Sequence, residues 1–523
     1  MAARAGETRT RSGAGRSLAL SLLGLALLAA GCSTTAGVNR VGLRGAYRDI
    51  SVSSLNEREA SEDSKVVLHR YDLVERFDKD PEGALAFLRE KALREDDRRD
   101  LRFAIAELSF LYADHLLESV DPEEHRRAPD YFLQAALAAY SYLLGPSRES
   151  PPRSFDRRFR LACDLYNRAL GKGLVTGSGG QVNVHGGAFQ LPAGSLSVSL
   201  DTRALPWPLE SFESFYLADD FSVRGFTLRN RTPGLGVPLV AVQKRPAGAK
   251  KGIAVPVTAF LRFLPAERSG GLPSFSGTLE LHSAYDETEV EVNGRKIPLE
   301  TDSTAPLAYS LEDPFVWNAG VKRFLKVEER IEPGTQLFQP YLPGRIPVVF
   351  VHGTASSPVW WAEMINTLRG DSYLRGRYQY WYFQYNSNGP ITVSAWALRD
   401  SLTKLVRQLD PEGKDPALRQ MVVIGHSQGG LLTKMAAVHT GDRLWRSISD
   451  ESLEDAKLAP PLKEKVQEYL FIEPLPFVKR VVFISTPHRG SYRTYGWVRS
   501  LVSKLVSLPA DLTGTFTELL ASG

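Results

Sequence analysis

The stretch Met421-Val422-Val423-Ile424-Gly425-His426-Ser427-Gln428-Gly429-Gly430-Leu431 decides the architecture of this 523-residue chain. Four apolar residues without polar alternation read as a strand buried on both faces. A helical stretch, Leu431 to Val438, follows. The turn between them is so tight that the serine backbone is strained, and a side chain at either flanking position would clash. Glycines at Gly425 and Gly429 remove that clash. The Ser427 hydroxyl then stands at the carboxyl end of a sheet, over a helix N-terminus. Backbone N–H groups and positive potential there suit an oxyanion.

Outward from this turn, apolar runs alternate with helical stretches. Pro347 to Val351, Tyr378 to Phe383 and Val481 to Ile484 read as further buried strands, and Ser394 to Leu409 as a helix between them. Strand, helix, strand, helix predicts an α/β domain with a doubly wound, mostly parallel sheet over residues 330–523. Trp360, Trp361, Trp381, Tyr382 and Phe383 could line a pocket or fill the core.

Three motifs together carry a family resemblance. Glycine, any residue, serine, any residue, glycine around Ser427 is the first. The second is Val348-Val349-Phe350-Val351 running into His352-Gly353-Thr354, about 75 residues upstream. The third is Val481-Val482-Phe483-Ile484 followed by Ser485-Thr486-Pro487-His488-Arg489-Gly490-Ser491. The region 340–523 resembles the α/β-hydrolase superfamily, in particular lipases, esterases and lipase-like deacylases. The resemblance implies that Ser427 is a nucleophile and that the backbone N–H groups of Thr354 and Gln428 bind the oxyanion. It makes His352 a loop-orienting residue rather than the base. It also implies a lid beyond the third motif. Tyr492 to Leu508, with Tyr495, Trp497, Val498, Leu501, Val502 and Leu505, reads as an amphipathic helix that would serve either as that lid or as packing on the sheet.

The family's acid and base do not fall into place. A triad of this type runs serine, then Asp or Glu, then His. After Ser427 the histidines are His439 and His488. His439 is expected on the helix after the nucleophile, pointing away. His488 comes one or two elements too early. The resemblance implies two further strands carrying Asp and then His, so the α/β region reads as C-terminally incomplete. A triad of His488 with Asp442, Asp450 or Asp455 is an alternative, and a degenerate hydrolase that only binds is another.

Residues 1–32 read as an address. Arg4, Arg9, Arg11 and Arg16 precede a short apolar run, Leu18 to Ala30, that is too short for a stable span of ~20 residues. Leu28-Ala29-Ala30-Gly31-Cys32 resembles a bacterial lipobox, implying lipid on Cys32; an ordinary cleaved signal peptide is the alternative. With Ser33 following, the resemblance points to the cell envelope and its outer membrane. Cys163 is then a lone thiol, expected as a small core residue.

Length alone suggests roughly three to five domains. Residues 33–62 read as a tether. Residues 63–172 read as a helical module: Leu101, Ile105, Leu108, Tyr112 and Leu116 lie on one helix face with Asp100 as a cap. Ala-rich segments follow at Tyr131 to Leu144 and Phe159 to Leu170. They weakly resemble tetratricopeptide hairpins, an irregular bundle being the other reading. Residues 173–325 show strand alternation at Leu196, Val198 and Leu200, and at Val255 to Phe263. A hairpin is expected at Val290 to Leu299 around Asn293-Gly294. A β-sandwich-like module is predicted there. His185 and His282 are isolated and read as structural. The N-terminal modules could dock a protein partner.

The net charge of +4 is too small over this length to argue for nucleic acid. No zinc-ligand spacing and no phosphate-binding glycine loop occurs, so neither metal nor cofactor is expected. The leading expectation is a lipid-anchored serine hydrolase acting on acyl or lipid esters. Its rival is a non-catalytic envelope lipoprotein.

Overall fold

The computed structural model describes residues 37–94, 98–147, 149–176, 179–244, 252–264, 273–286, 288–311, 333–354, 356, 358–387 and 389–489. The chain divides into two units, Met1–Val52 and Ser53–Gly523. The first contains the helix Leu43–Ser51, none of whose residues is buried. The second holds everything else. Residues 1–32, with Cys32 and the lipobox, lie outside the described residues, as does the stretch expected to form a lid.

The expected tether stops short of residue 62. Ser53, Ser54, Ala60 and Ser61 are buried, and the last three sit beside the helices that follow. Those helices are Glu62–Arg70, Val74–Lys79, Pro81–Arg94, Arg99–Glu118, Pro122–Leu143 and Arg157–Leu174. Their unequal lengths match the irregular bundle. Asp121 and Asp156 cap the last two by accepting from Glu123 N and Arg158 N. Asp100 does not cap its helix: it lies inside the first turn, and Arg98 takes the cap position. The Asp100 carboxylate is held by Arg70 (2.5 Å) and Arg98 (3.0 Å), which outcompete the helix N–H groups.

The region 173–325 contains β1 (Val175–Thr176), β2 (Gln181–Val182), β3 (Gly187–Leu191), β4 (Gly194–Asp201), β5 (Phe212–Leu217), β6 (Arg231–Thr232), β7 (Val237–Gln243), β8 (Ala254–Phe263), β9 (Ser274–Ser283), β10 (Glu289–Val292), β11 (Arg295–Pro298) and β12 (Thr301–Asp302). Eight of them form one sheet in the order β1-β2-β5-β7-β8-β9-β4-β3, mostly antiparallel with a parallel β4/β9 pair. This corrects the sandwich. The sheet meets helices rather than a second sheet. Tyr166 packs at a tilt against Phe260, ring centroids 5.9 Å apart, and its hydroxyl donates to Leu261 O at 2.8 Å. Asn167 donates to Gly234 O and accepts from Gly236 N. Covered on both faces, β8 is buried at nearly every position instead of alternating. The expected hairpin is present: Asn293 (φ 52°) and Gly294 (φ 73°) turn β10 into β11. Both adopt the left-handed conformation that a two-residue loop of this hand requires.

The second sheet contains β13 (Gly334–Leu337), β14 (Ile346–Val351), β15 (Tyr378–Gln384), β16 (Met421–His426) and β17 (Val478–Ile484), in the order β13-β15-β14-β16-β17. β14 pairs parallel with β15 and β16, and β16 with β17, while β13 is antiparallel. One face is covered by the helices Ile391–Leu409 and Gln428–Met435, the other by Thr304–Leu311 and Ala362–Gly370. Coverage on both faces is why these strands read as unbroken apolar runs. Trp381 and Phe383 are fully buried and Trp361 stacks on Phe350 at 4.9 Å, so these aromatics are core; Trp360 is exposed. The protein is thus a mixed α/β structure, with one mostly antiparallel sheet and one mostly parallel sheet. No helix among the described residues is long and apolar enough to cross a membrane.

Candidate active site at the turn after β16

Ser427 follows β16 and caps the helix Gln428–Met435 with φ 52° and ψ −121°. A non-glycine residue held there costs about 1–3 kcal/mol, so its surroundings must impose it. They do so at both sides. Ser427 N donates to Ile484 O at 2.8 Å, fastening the turn to the end of β17. Gly430 N donates to Ser427 O at 3.1 Å.

The glycines are space-limited as expected. A Cβ at Gly425 would lie 2.4 Å from Thr433 Oγ1 and 2.5 Å from Gly429 O. One at Gly429 would lie 2.3 Å from Val351 O and 2.4 Å from His352 O. Two further glycines, not singled out by the spacing of the motif, are equally confined. Gly430 lies against Thr486, whose Oγ1 would be 1.8 Å from an added Cβ. Gly353 faces the serine itself, its Cβ position being 3.0 Å from Ser427 Cβ. The second consecutive glycine at 430 and the glycine in His352-Gly353 were the available signals.

The loop after β14 therefore abuts the turn after β16. Thr354 Oγ1 donates to Gln428 Oε1 at 2.6 Å. Gln428 Nε2 in turn donates to the carbonyl of Ser387, after β15, at 3.2 Å. Gln428 is almost fully buried, so this bridge fixes it. Carboxyl ends of three neighbouring parallel strands thereby converge on one spot, where sheets of this kind place their ligands. Among the described residues, the backbone N–H groups of Thr354 and Gln428 have no protein acceptor. Gln428 N–H belongs to the positive end of its helix.

His352 is buried and stacked on Tyr385 at 4.5 Å. Its Nδ1 donates to Gly353 O at 2.9 Å, while Nε2 faces the backbone N–H of Tyr385 at 3.5 Å, which assigns the Nδ1–H tautomer. Tyr385 Oη donates back to His352 O at 2.9 Å. Burial pushes the imidazole down to about 4, so His352 is a neutral loop support. The sign of the pH effect follows. Between pH 6.5 and 4 the unfolded chain holds the proton and the folded one does not, so stability falls as pH falls. The slope approaches about 1.4 kcal/mol per pH unit. Denaturation midpoints measured across this window are expected to show the slope in the parent and a weaker one in His352→Gln; equal slopes would contradict a buried neutral His352.

Of the other histidines, His426 directly precedes Ser427, its Nδ1 being 3.0 Å from the same Gly353 Cβ position, and the candidate bases lie elsewhere. His439 follows its helix rather than sitting on it and pairs with Glu473 at 2.7 Å; both side chains are exposed. His488 packs edge-on against Phe483 at 4.6 Å. Asp442 binds Arg446, and Asp455 accepts from Ser452. Among the described residues, none of the candidate acids pairs with His488, and no imidazole or carboxylate bonds to Ser427 Oγ. In the β-rich region, His185 is exposed, and His282 is buried and faces Glu280 at 3.2 Å. Cys163 is a free, partly buried thiol against the helical core, and burial pushes it up to about 12.

No family model matches the chain, and no curated protein matches it. Among solved structures it is similar to a lipase of Bacillus licheniformis in mature form, at 17% identity over 34% of this chain and 56% of that one, with a TM-score of 0.19. The propeptide form of that lipase matches over 33% of this chain and 30% of its own length, at 17% identity and a TM-score of 0.19. An esterase from the planctomycete Thermogutta terrifontis matches at 18% identity over 35% of this chain and 60% of that one, with a TM-score of 0.21. The chain spans less than two thirds of these structures, and the likeness to esterases and lipases is distant and partial.

Proposed function

We propose that the protein is a serine hydrolase of the α/β-hydrolase type that cleaves acyl esters through an acyl-enzyme on Ser427. The observation that carries this reading is the forced geometry of Ser427. Its strained backbone stands between a parallel strand and a helix N-terminus, with Gly353 against its Cβ. Ser427 Oγ attacks the acyl carbonyl and its proton passes to a general base. The alcohol leaves with a proton, and water then releases the acid and regenerates the serine. The N–H groups of Thr354 and Gln428 receive the oxyanion, each contributing about 3–4 kcal/mol to the transition state. Among the described residues no imidazole or carboxylate bonds to Ser427 Oγ, which favours the second reading, a hydrolase-like domain that only binds.

Fluorophosphonate labelling separates the two. Labelling of the full-length protein that is lost in Ser427→Ala is the expected result. A folded full-length protein that takes up no probe would establish the binding reading instead.

We infer also that Cys32 carries a lipid and anchors the protein to the bacterial envelope, on the lipobox-like string before it. Radiolabelled palmitate fed to producing cells is expected to enter the parent and not Cys32→Ala. Equal incorporation into both would remove the anchor.

A further inference from the structure

A polar cavity of about 130 Å³ lies where β6 and β12 meet the end of the helix Ala362–Gly370. This is away from Ser427, and the reading below does not depend on the proposed activity. The surrounding seam is firmly built. Asn230 N donates to Thr304 Oγ1 at 2.7 Å, and Thr304 Oγ1 to Asn366 Oδ1 at 2.7 Å. Asn366 Nδ2 donates to Leu228 O at 2.8 Å. Gly370 has no room for a Cβ, which would lie 2.8 Å from Asn230 Oδ1.

Two arginines line the cavity and differ in their partners. Arg231 is neutralised by Asp219 at 2.6 Å and by Glu300, to which Nε donates at 2.8 Å. Arg375 has no carboxylate within ion-pairing distance among the described residues. Its guanidinium donates to Arg369 O at 2.8 Å. Burial and the neighbouring Arg345 disfavour its charge, and Asp371 offsets this only from a distance. Arg369, on the preceding helix Ala362–Gly370, is a second cation without a carboxylate in ion-pairing distance among the described residues. It is 1% exposed, donates to Gln339 Oε1 and lies over the rings of Tyr285 and Tyr380. The opposite wall supplies Thr301 and Ser303, 7% and 6% exposed. Neither hydroxyl has a protein partner among the described residues, although both border the cavity.

A half-buried cation without a carboxylate, beside hydroxyls without a protein partner facing the same cavity, favours a ligand that completes them. We propose that this cavity binds a tetrahedral oxyanion of the phosphate class, held by the Arg375 guanidinium and the Ser303 and Thr301 hydroxyls. The space suits such an ion together with water, whose share of liquid volume is about 30 Å³. The ion would tie β12 to the helix Ser372–Arg377. Asn230 Nδ2 is already engaged with Asn366 and is not a ligand.

Calorimetry and thermal unfolding of the whole protein in phosphate, against chloride of equal ionic strength, test this. Saturable phosphate binding with a raised unfolding temperature is expected. Arg375→Gln, which retains a donor for Arg369 O, is expected to weaken binding at least about tenfold. Ser303→Ala, a milder change should Arg375→Gln misfold, is expected to weaken it severalfold. Glycerol 3-phosphate run in parallel identifies the source: tighter binding of the ester points to an organic phosphate, tighter binding of the free ion to an inorganic one. No saturable binding by the folded parent overturns the proposal. Parental affinity in both variants does the same.

Discussion

Gly429→Ala is expected to destabilise the protein by about 2–3 kcal/mol and to slow fluorophosphonate labelling of Ser427 at least about 100-fold. A Cβ at this position would meet the carbonyl oxygens of Val351 and His352 at 2.3 and 2.4 Å. Both belong to the backbone at the end of β14, so neither can rotate away. The helix Gln428–Met435 must shift instead, carrying the Gln428 N–H and Ser427 with it. Gly430→Ala is the informative contrast. Its Cβ meets Thr486 Oγ1, a side-chain atom, at 1.8 Å. Deleting the obstacle in Gly430→Ala/Thr486→Ala is expected to recover most of the loss, giving a large coupling energy in a double-mutant cycle. Gly429→Ala has no such rescue. A Gly429→Ala protein labelled at the parental rate, with a denaturation midpoint unchanged, would refute the forced geometry on which the proposed function rests.

The turn was legible in the sequence because its causes are local. Apolar run, glycine, serine, glycine and helix are consecutive, and the buried runs that became β14 to β17 are equally local. What escaped was set at long range. The eight-stranded sheet could not be distinguished from a sandwich, because alternation shows that a face is covered and not what covers it. Here Tyr166 and Asn167, on a helix, fill the place of a second sheet. Asp100 looked like a cap because Asp is a good one, yet Arg70 draws it into an ion pair from 30 positions away. Gly353 touches Ser427 across about 75 residues of sequence, which no spacing argument would find. The seam joining the sheet regions through Asn230, Thr304 and Asn366 is likewise invisible before folding. The resemblance makes His352 a loop-orienting residue. The physical basis of that role, burial against Tyr385 with one tautomer fixed, required the fold.

Glu107→Ala is expected to cost about 3–5 kcal/mol, with Glu107→Gln costing about 1 kcal/mol. Glu107 sits fully buried on the helix Arg99–Glu118. Its Oε1 accepts from Ser54 N at 3.2 Å and Ser61 N at 3.1 Å. Its Oε2 accepts from Ser61 Oγ at 2.5 Å and Ser64 Oγ at 2.6 Å. One side chain therefore pins residues 54–64 to the helical core. Alanine would strand two backbone N–H groups, which cannot turn elsewhere, and open a cavity beside them. Glutamine keeps an acceptor for those amides, and its NH₂ can donate to the serine hydroxyls, which rotate into the acceptor role. Burial raises the Glu107 carboxyl above the ordinary value, and the four donors only partly offset this. The folded state then holds the proton more tightly than the unfolded one. This contribution is greatest at low pH and declines as pH rises through the interval above the ordinary carboxylate value. That is opposite in sign to the effect of His352, whose contribution improves as pH rises towards 6.5. Chemical denaturation across pH separates them: Glu107→Gln should make stability rise more steeply with pH, and His352→Gln should make it rise less. A Glu107→Ala variant as stable as Glu107→Gln would mean that the four hydrogen bonds contribute little and that residues 54–64 are held by packing alone.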